Sequence, residues 1–205
     1  MQNAVYHSSK VQGLTVIHPR KSTHKKPWVY ATKDLASSAL FLGDNFDFIC
    51  QIGNDAQGLY IFERFQGAFK QAYAHKSGSI YILDGKNFKE NQTSWSTEVV
   101  SAKLVKVLEE NKIDDVESLI LELINTKKVT FYAYPNMPKG VPKDKSDIIE
   151  RAVVWTMEHD EGTLEKVLTY HPDVLITVLN TLVSKGYVFK TDRWRTQSLV
   201  TKLTV

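Results

Sequence analysis

The chain has 205 residues, of which 42% are hydrophobic and 24% charged, and its formal net charge at pH 7 is +3. This composition is typical of a globular protein, and the length allows one good core or two small ones. The single cysteine, Cys50, excludes an intramolecular disulfide and a cysteine-based metal cluster. The small net charge neither requires nor opposes a nucleic-acid or membrane partner.

Residues 1–10 contain no apolar run of the length found in signal peptides. No segment approaches the roughly 20 apolar residues that span a membrane. A lone cysteine also fits a reducing compartment. We therefore expect a soluble, cytoplasmic protein without a membrane partner.

The first hundred residues have the pattern of a β-rich unit. Short segments rich in Val, Ile, Tyr and Phe, separated by Gly, Asn, Asp and Lys, predict strands at 3–7, 28–32, 59–62 and 79–83. One helix is predicted from Lys33 to Leu42, because Thr32 can cap its start and Gly43 can end it.

Helical periodicity dominates the chain after residue 103. Asp114 or Asp115 can cap one helix, and three more are predicted after Asp144, at 163–170, and from Pro172 or Asp173 to 185. The tail, 187–205, alternates like one or two strands. The sequence thus predicts an α+β fold with a β-rich part, residues 1–107, and a mostly helical part, residues 108–205. The second part is either a separate domain or a layer packed on the first, and the absence of a Gly/Ser linker favours packing.

Three short strings contain candidate functional residues: YHSS (6–9), WVYAT (28–32) and STEVVS (96–101). Taken singly, His7 and Tyr30 have simpler interpretations, as a satisfied histidine of the core or its rim and as a packing tyrosine. Glu98 enters a hydrophobic strand, where a carboxylate is costly unless it is paired or used.

Together the strings resemble the His–Tyr–Glu branch of the ADP-ribosyltransferases, which includes diphtheria-toxin-like and poly(ADP-ribose)-polymerase-like enzymes. In that branch the histidine lies in a Tyr-His-Gly string at a strand end. The tyrosine lies in a strand before a helix, and the glutamate begins a late strand. His7, Tyr30 and Glu98 follow this order, and Phe41 is the aromatic expected eleven residues after the tyrosine. The resemblance covers about residues 4–107.

The resemblance implies a split antiparallel β-sheet whose cleft holds NAD as a substrate. Tyr30 and Phe41 would stack on the two faces of the nicotinamide, and the backbone of Ser8 would bind its carboxamide. His7 would bind the adenosine-side ribose. Glu98 would accept a hydrogen bond from the nicotinamide ribose and stabilise the cation that forms as nicotinamide leaves.

Three residues depart from the family pattern. Ser8 stands where glycine is common, and Phe41 lacks the hydroxyl often found at its position. Ser96, two residues before Glu98, replaces the acid or amide of arginine-directed toxins, so nothing supports arginine as the target.

The resemblance therefore implies an NAD-dependent ADP-ribosyltransferase with an unknown protein or nucleic-acid target. A catalytically inactive binding protein on the same fold is the alternative, motivated by Ser8 and by the helical part. A nucleic-acid-directed enzyme on the same scaffold is a third possibility, motivated by the basic string HPRKSTHKKPW (18–28). Within that string, Arg20 is the candidate contact for the NAD pyrophosphate, and a solvated loop is its simpler interpretation. No HxxxH or HExxH spacing occurs, so no metal is expected.

Overall fold

A computed structural model describes residues 3–21, 26–44, 47–93 and 95–195. The strands within these residues are β1 (Ala4–Ser9), β2 (Val16–Ile17), β3 (Arg20–Lys21), β4 (Pro27–Thr32), β5 (Cys50–Asp55), β6 (Gly58–Glu63), β7 (Gly78–Asp84), β8 (Glu98–Ser101), β9 (Val105–Ile113) and β10 (Thr130–Tyr132). The α-helices are α1 (Leu35–Leu40), α2 (Ala68–Tyr73), α3 (Val116–Asn125), α4 (Ser146–Glu158), α5 (Gly162–Tyr170) and α6 (Leu175–Ser184). The predicted α+β class is confirmed.

The larger sheet has seven strands and is antiparallel throughout. Its order is β2-β9-β7-β1-β4-β3, and β8 also pairs with β4. Because side chains alternate across a strand, every second residue of β1, β4 and β8 reaches the same face. Val5, Val29, Tyr81 and Val99 belong to one core on this sheet. β4 connects the parts of the sheet, since it pairs with β1, β3 and β8.

A smaller sheet joins the two halves of the chain. β5 and β6 form an antiparallel hairpin, and β10 pairs with β6 in parallel. The main core, which includes Leu40, Ile61, Tyr73 and Ile120, brings together residues of α1, β6, α2 and α3. The predicted boundary at residue 107 falls inside β9, and β10 extends a sheet begun by the first half of the chain.

The last three helices, α4 to α6, share a second core that includes Ala152, Leu164 and Leu179. These helices agree with the sequence prediction. Phe48, from the first half of the chain, is fully buried in the same core. Residues 187–195 form no strand, contrary to the prediction, and residues 192–195 form a helical turn instead. Trp194 on that turn is buried in the helical core, which accounts for the difference. Residues 196–205 of the predicted tail lie outside the described residues.

Two ion pairs fasten the helical part to the β-rich part. Arg64, which follows β6, donates to Asp147 of α4 at 2.5 Å, and its side chain is 5% exposed. Arg151 of α4 pairs with Asp47 in the loop before β5. Nε of Arg64 also donates to the main-chain oxygen of Asp47 at 3.1 Å. The position of α4 is therefore fixed by charged contacts to the first half of the chain.

His171 also links the helical part to the first half of the chain, and its titration makes the stability of the protein depend on pH. It is 1% exposed, and its Nε2 donates to the main-chain oxygen of Phe48 at 2.7 Å. Burial lowers the pKa of His171 below its usual value of 6.5. The unfolded state therefore binds more protons, so stability is lost as the pH falls through 6.5 towards the lower pKa of the folded state.

We expect His171→Gln to weaken this pH dependence, because glutamine does not titrate and its amide can still donate to Phe48. The measurement is the free energy of unfolding in urea at about pH 7.5 and about pH 5.5. The parent should lose more stability on acidification than the variant. An equal loss in both proteins would contradict the assignment to His171.

Candidate functional site

A cleft of about 740 Å³ lies between the larger sheet, the smaller sheet and α4. Its volume is within the range usual for small-molecule sites. Five of the six residues predicted from the sequence line it: His7, Ser8, Tyr30, Phe41 and Glu98. They come from β1, β4, the C-terminal end of α1 and β8. The sixth, Arg20, is not among the lining residues.

Strand pairing explains why these residues meet. Thr32 of β4 pairs with Tyr6 of β1 and also with Glu98 of β8. His7 and Glu98 are thereby brought to the same end of β4 from two different neighbouring strands. Thr32 also leads into α1, since its hydroxyl donates to the main-chain oxygen of Asp34 at 2.7 Å.

The helix that carries Phe41 begins later than predicted. Its N-cap is Asp34, whose carboxylate accepts the Ser37 N–H at 2.7 Å, so Thr32 does not cap it. A carboxylate at this position satisfies a free N–H and complements the helix dipole. The helix ends at Leu40, and Phe41 is the C-cap residue.

His7 bridges β1 and β4 through its side chain. Nδ1 lies 2.7 Å from the main-chain oxygen of Tyr30 and must donate, because a carbonyl oxygen only accepts. Burial lowers the pKa of His7 below its usual 6.5, opposed by the hydrogen bond to Tyr30 and assisted by the charge of Arg20. A neutral imidazole with its proton on Nδ1 leaves Nε2 as an acceptor.

The backbone of Ser8 faces the gap between β1 and β4. The Gly85 N–H donates to the oxygen of Asn3, in register with the β1–β7 pairing. In an antiparallel strand alternate residues direct N–H and C=O to the same side, so Ser8 directs both away from β7. The register between β1 and β4 is a single pair, Tyr6–Thr32. Beyond it, the N–H and C=O of Ser8 lie on the β4 side of β1, and Ser8 itself lines the cleft.

Aromatic rings form much of the sheet side of the cleft. Tyr30 lies edge-on to Trp28, with ring centroids 6.0 Å apart. Phe41 contacts Trp95 at 5.5 Å between centroids. Trp95 also lines the cleft, and its main-chain oxygen accepts the Glu98 N–H at 3.2 Å. The turn that positions Glu98 thus also positions a tryptophan that was not predicted from the sequence.

Two buried polar atoms in the cleft lining find no hydrogen-bond partner among the described residues. They are Oγ of Ser38, a residue that is 1% exposed, and Oε1 of Gln51. A buried polar group without a partner costs about 1–3 kcal/mol, so two such atoms beside one cleft are unusual in a folded protein. Neither residue was predicted from the sequence. For Ser38 a signal existed, since it precedes Phe41 by three residues and so shares its helix face.

The opposite wall includes α4 and the loop before β5. Arg151 pairs with Asp47, and its guanidinium lies 5.6 Å from the ring centroid of Trp155. Burial raises the pKa of Asp47 above its usual value, against the opposing charges of Arg151 and Arg64. Asp47, Arg151 and Trp155 line the cleft, whereas Arg64 does not. Arg151 and Trp155 lie outside the region of family resemblance, so no motif indicated them.

Comparisons with family models, with curated proteins and with solved structures give no match to this chain. Within residues 3–195, apart from the undescribed gaps, no group of three or more His, Cys, Asp or Glu side chains is arranged to hold a metal ion. In the same part of the chain, no helix is both long and apolar enough to cross a membrane.

Proposed function

We propose that the protein has an ADP-ribosyltransferase-like fold and transfers ADP-ribose from NAD to a protein or nucleic-acid target, releasing nicotinamide. The observation that carries this proposal is the shared cleft. His7, Tyr30, Phe41 and Glu98 are separated by up to 91 residues and belong to different elements, yet all line it. Packing alone gives no reason for a histidine, two aromatic residues and a carboxylate to converge on one cavity.

The nicotinamide ring requires flat apolar surfaces and partners for its carboxamide. Tyr30 and Phe41 supply the rings, and offset stacking on them is favourable. The N–H and C=O of Ser8 supply a donor and an acceptor on the same strand edge.

The ribose hydroxyls require acceptors at the other end of the same pocket. Nε2 of neutral His7 accepts from a hydroxyl of the adenosine-side ribose and holds the bend of NAD. Glu98 accepts from the 2′-hydroxyl of the nicotinamide ribose. Both residues then fix the anomeric carbon relative to the incoming target.

The reaction breaks the bond between the nicotinamide nitrogen and C1′ of the ribose, and the bonding electron pair leaves with nicotinamide. Positive charge develops on the ribose, and the carboxylate of Glu98 stabilises it. A nucleophile of the target then bonds to C1′ and loses its proton to solvent.

A catalytically inactive binding protein is the second candidate, and Ser8 is the observation that favours it. Ser8 belongs to the cleft lining at the position where the family pattern has glycine. Ser8 nevertheless lies within β1 and is not among the residues with positive φ. Serine therefore occupies this position without backbone strain, and only the volume of its side chain distinguishes it from glycine.

NAD titration of the parent, Tyr30→Phe and Tyr30→Leu tests the proposal. We expect the parent to bind NAD and Tyr30→Phe to bind within about twofold of it, because stacking needs only the ring. Tyr30→Leu should bind about tenfold more weakly. Calorimetry gives the affinities, and chromatography gives the nicotinamide released. Absence of NAD binding by the folded parent would refute the proposal, whereas binding without release would favour the inactive protein.

A further inference from the structure

We propose that the surface around the N-terminal end of β4 binds single-stranded nucleic acid and presents it to the cleft as the acceptor of ADP-ribose. Nucleic-acid binding is inferred only from the charges and aromatic rings on this surface and does not depend on NAD. The acceptor role rests on the proposed function.

Positive charge is concentrated at the start of the chain. The whole protein has 26 Lys and Arg against 23 Asp and Glu, but residues 1–33 contain six Lys or Arg and no acidic residue. The net positive charge of the protein is therefore due to this segment. Such an asymmetry favours an anionic partner near these residues.

The fold gathers part of this charge beside β4. Arg20 and Lys21 form β3, the strand at one end of the larger sheet, and pair with Trp28 and Pro27. Both side chains are exposed. Lys26 immediately precedes β4, and Lys103 follows Ser101, which pairs with Val29. These two lysines are exposed as well. The four cations thus surround the first three residues of one strand: Arg20, Lys21, Lys26 and Lys103.

Aromatic rings connect this basic surface to the cleft. The ammonium of Lys26 lies 5.1 Å from the ring centroid of Trp28, and the Trp28 ring lies 6.0 Å from that of Tyr30. Trp28 and Tyr30 are two residues apart on β4 and so share one face of the strand. Tyr30 lines the cleft. A base on Trp28 would therefore precede a nucleotide at the mouth of the cleft.

Interleaved cations and aromatic rings favour single strands over an acidic protein or a duplex. Cations contact successive phosphates, while a tryptophan stacks on any base that is not already paired. An acidic protein has no row of unpaired bases to stack on the tryptophan, and a duplex keeps its bases stacked internally. In the transfer, a base amine or a hydroxyl of the strand bonds to C1′ as nicotinamide leaves with the electron pair, and the nucleophile loses its proton to solvent.

The test is fluorescence anisotropy with short labelled single strands of DNA and of RNA, without NAD, between about 50 and 200 mM salt. The parent should bind both. The ratio of its affinities for RNA and for DNA shows whether the protein contacts a 2′-hydroxyl. Arg20→Ala/Lys21→Ala should weaken binding and reduce the slope of log K against log salt by about 1.4, or 0.7 for each lost phosphate contact. Lys128→Ala/Lys185→Ala removes two exposed lysines of the second half of the chain and should change neither quantity.

Trp28 separates base stacking from charge attraction. Trp28→Leu should weaken single-strand binding about tenfold, and Trp28→Phe should restore most of it. Equal loss in the Lys128/Lys185 control, no binding at low salt, or no difference between Trp28→Leu and Trp28→Phe would each overturn the proposal. So would a duplex or polyglutamate competitor as effective as a single strand.

These outcomes are independent of NAD chemistry. Single-strand binding by a protein that releases no nicotinamide would refute the proposed function and leave the nucleic-acid surface standing. Nicotinamide release without strand binding would refute the nucleic-acid surface and leave the proposed function standing. Transfer itself is read from labelled NAD incubated with each oligonucleotide, and label on protein alone would refute the acceptor role.

Discussion

Replacing Glu98 by Gln is expected to reduce nicotinamide release from NAD by about a hundredfold or more, while NAD affinity stays within about threefold of the parent. Glutamine has the shape of glutamate and keeps an oxygen that can accept from a ribose hydroxyl. It lacks the negative charge that the proposed mechanism requires to stabilise the developing cation. The loss should therefore affect turnover and spare binding.

Glu90→Gln is the matched control for this change. Glu90 is exposed, pairs with Lys33 at 2.5 Å, and is not among the cleft-lining residues. It lies only eight residues before Glu98, and its variant should release nicotinamide at the parent rate. Parent-like turnover by Glu98→Gln would eliminate the proposed mechanism, and equal losses in both variants would point to a general effect of charge.

The residues on the sheet side of the cleft were identified from the family resemblance, and each of them lies at a position that a local pattern marks. His7 follows a short apolar run, Tyr30 precedes a helix, and Glu98 begins a strand that continues with two valines. Strand pairing then brings them together, since Thr32 is in register with both β1 and β8. The position of Phe41 follows from the length of one short helix.

The α4 side of the cleft could not be predicted in this way. Arg151 meets Asp47 across 104 residues of sequence, and nothing in either local string indicates the other. A charged residue and a tryptophan on an amphipathic helix are equally compatible with a solvated face and a packed one. The boundary predicted at residue 107 could not take account of a second long-range contact. β10, from the second half of the chain, pairs in parallel with β6, from the first half.

The packing of the helical part against the first half of the chain also depends on one buried charge, the guanidinium of Arg64. Arg64→Met is expected to lower the free energy of unfolding by about 3 kcal/mol. Arg64 is 7% exposed and donates both to Asp147 and to the main-chain oxygen of Asp47. Removing it leaves the Asp147 carboxylate uncompensated, with Oδ1 already lacking a partner among the described residues.

A double-mutant cycle in urea separates the ion pair from simple loss of packing. Arg64→Met/Asp147→Leu should lose less stability than Arg64→Met alone, because a largely buried pair replaced by apolar side chains leaves no charge behind. The double variant also tests the cleft. α4 carries Arg151 and Trp155 into the lining, so a helix restored to its position should preserve NAD affinity where Arg64→Met weakens it. If the double variant were as unstable as the sum of the two single changes, the two charges would be energetically independent and α4 would be held by its apolar core alone.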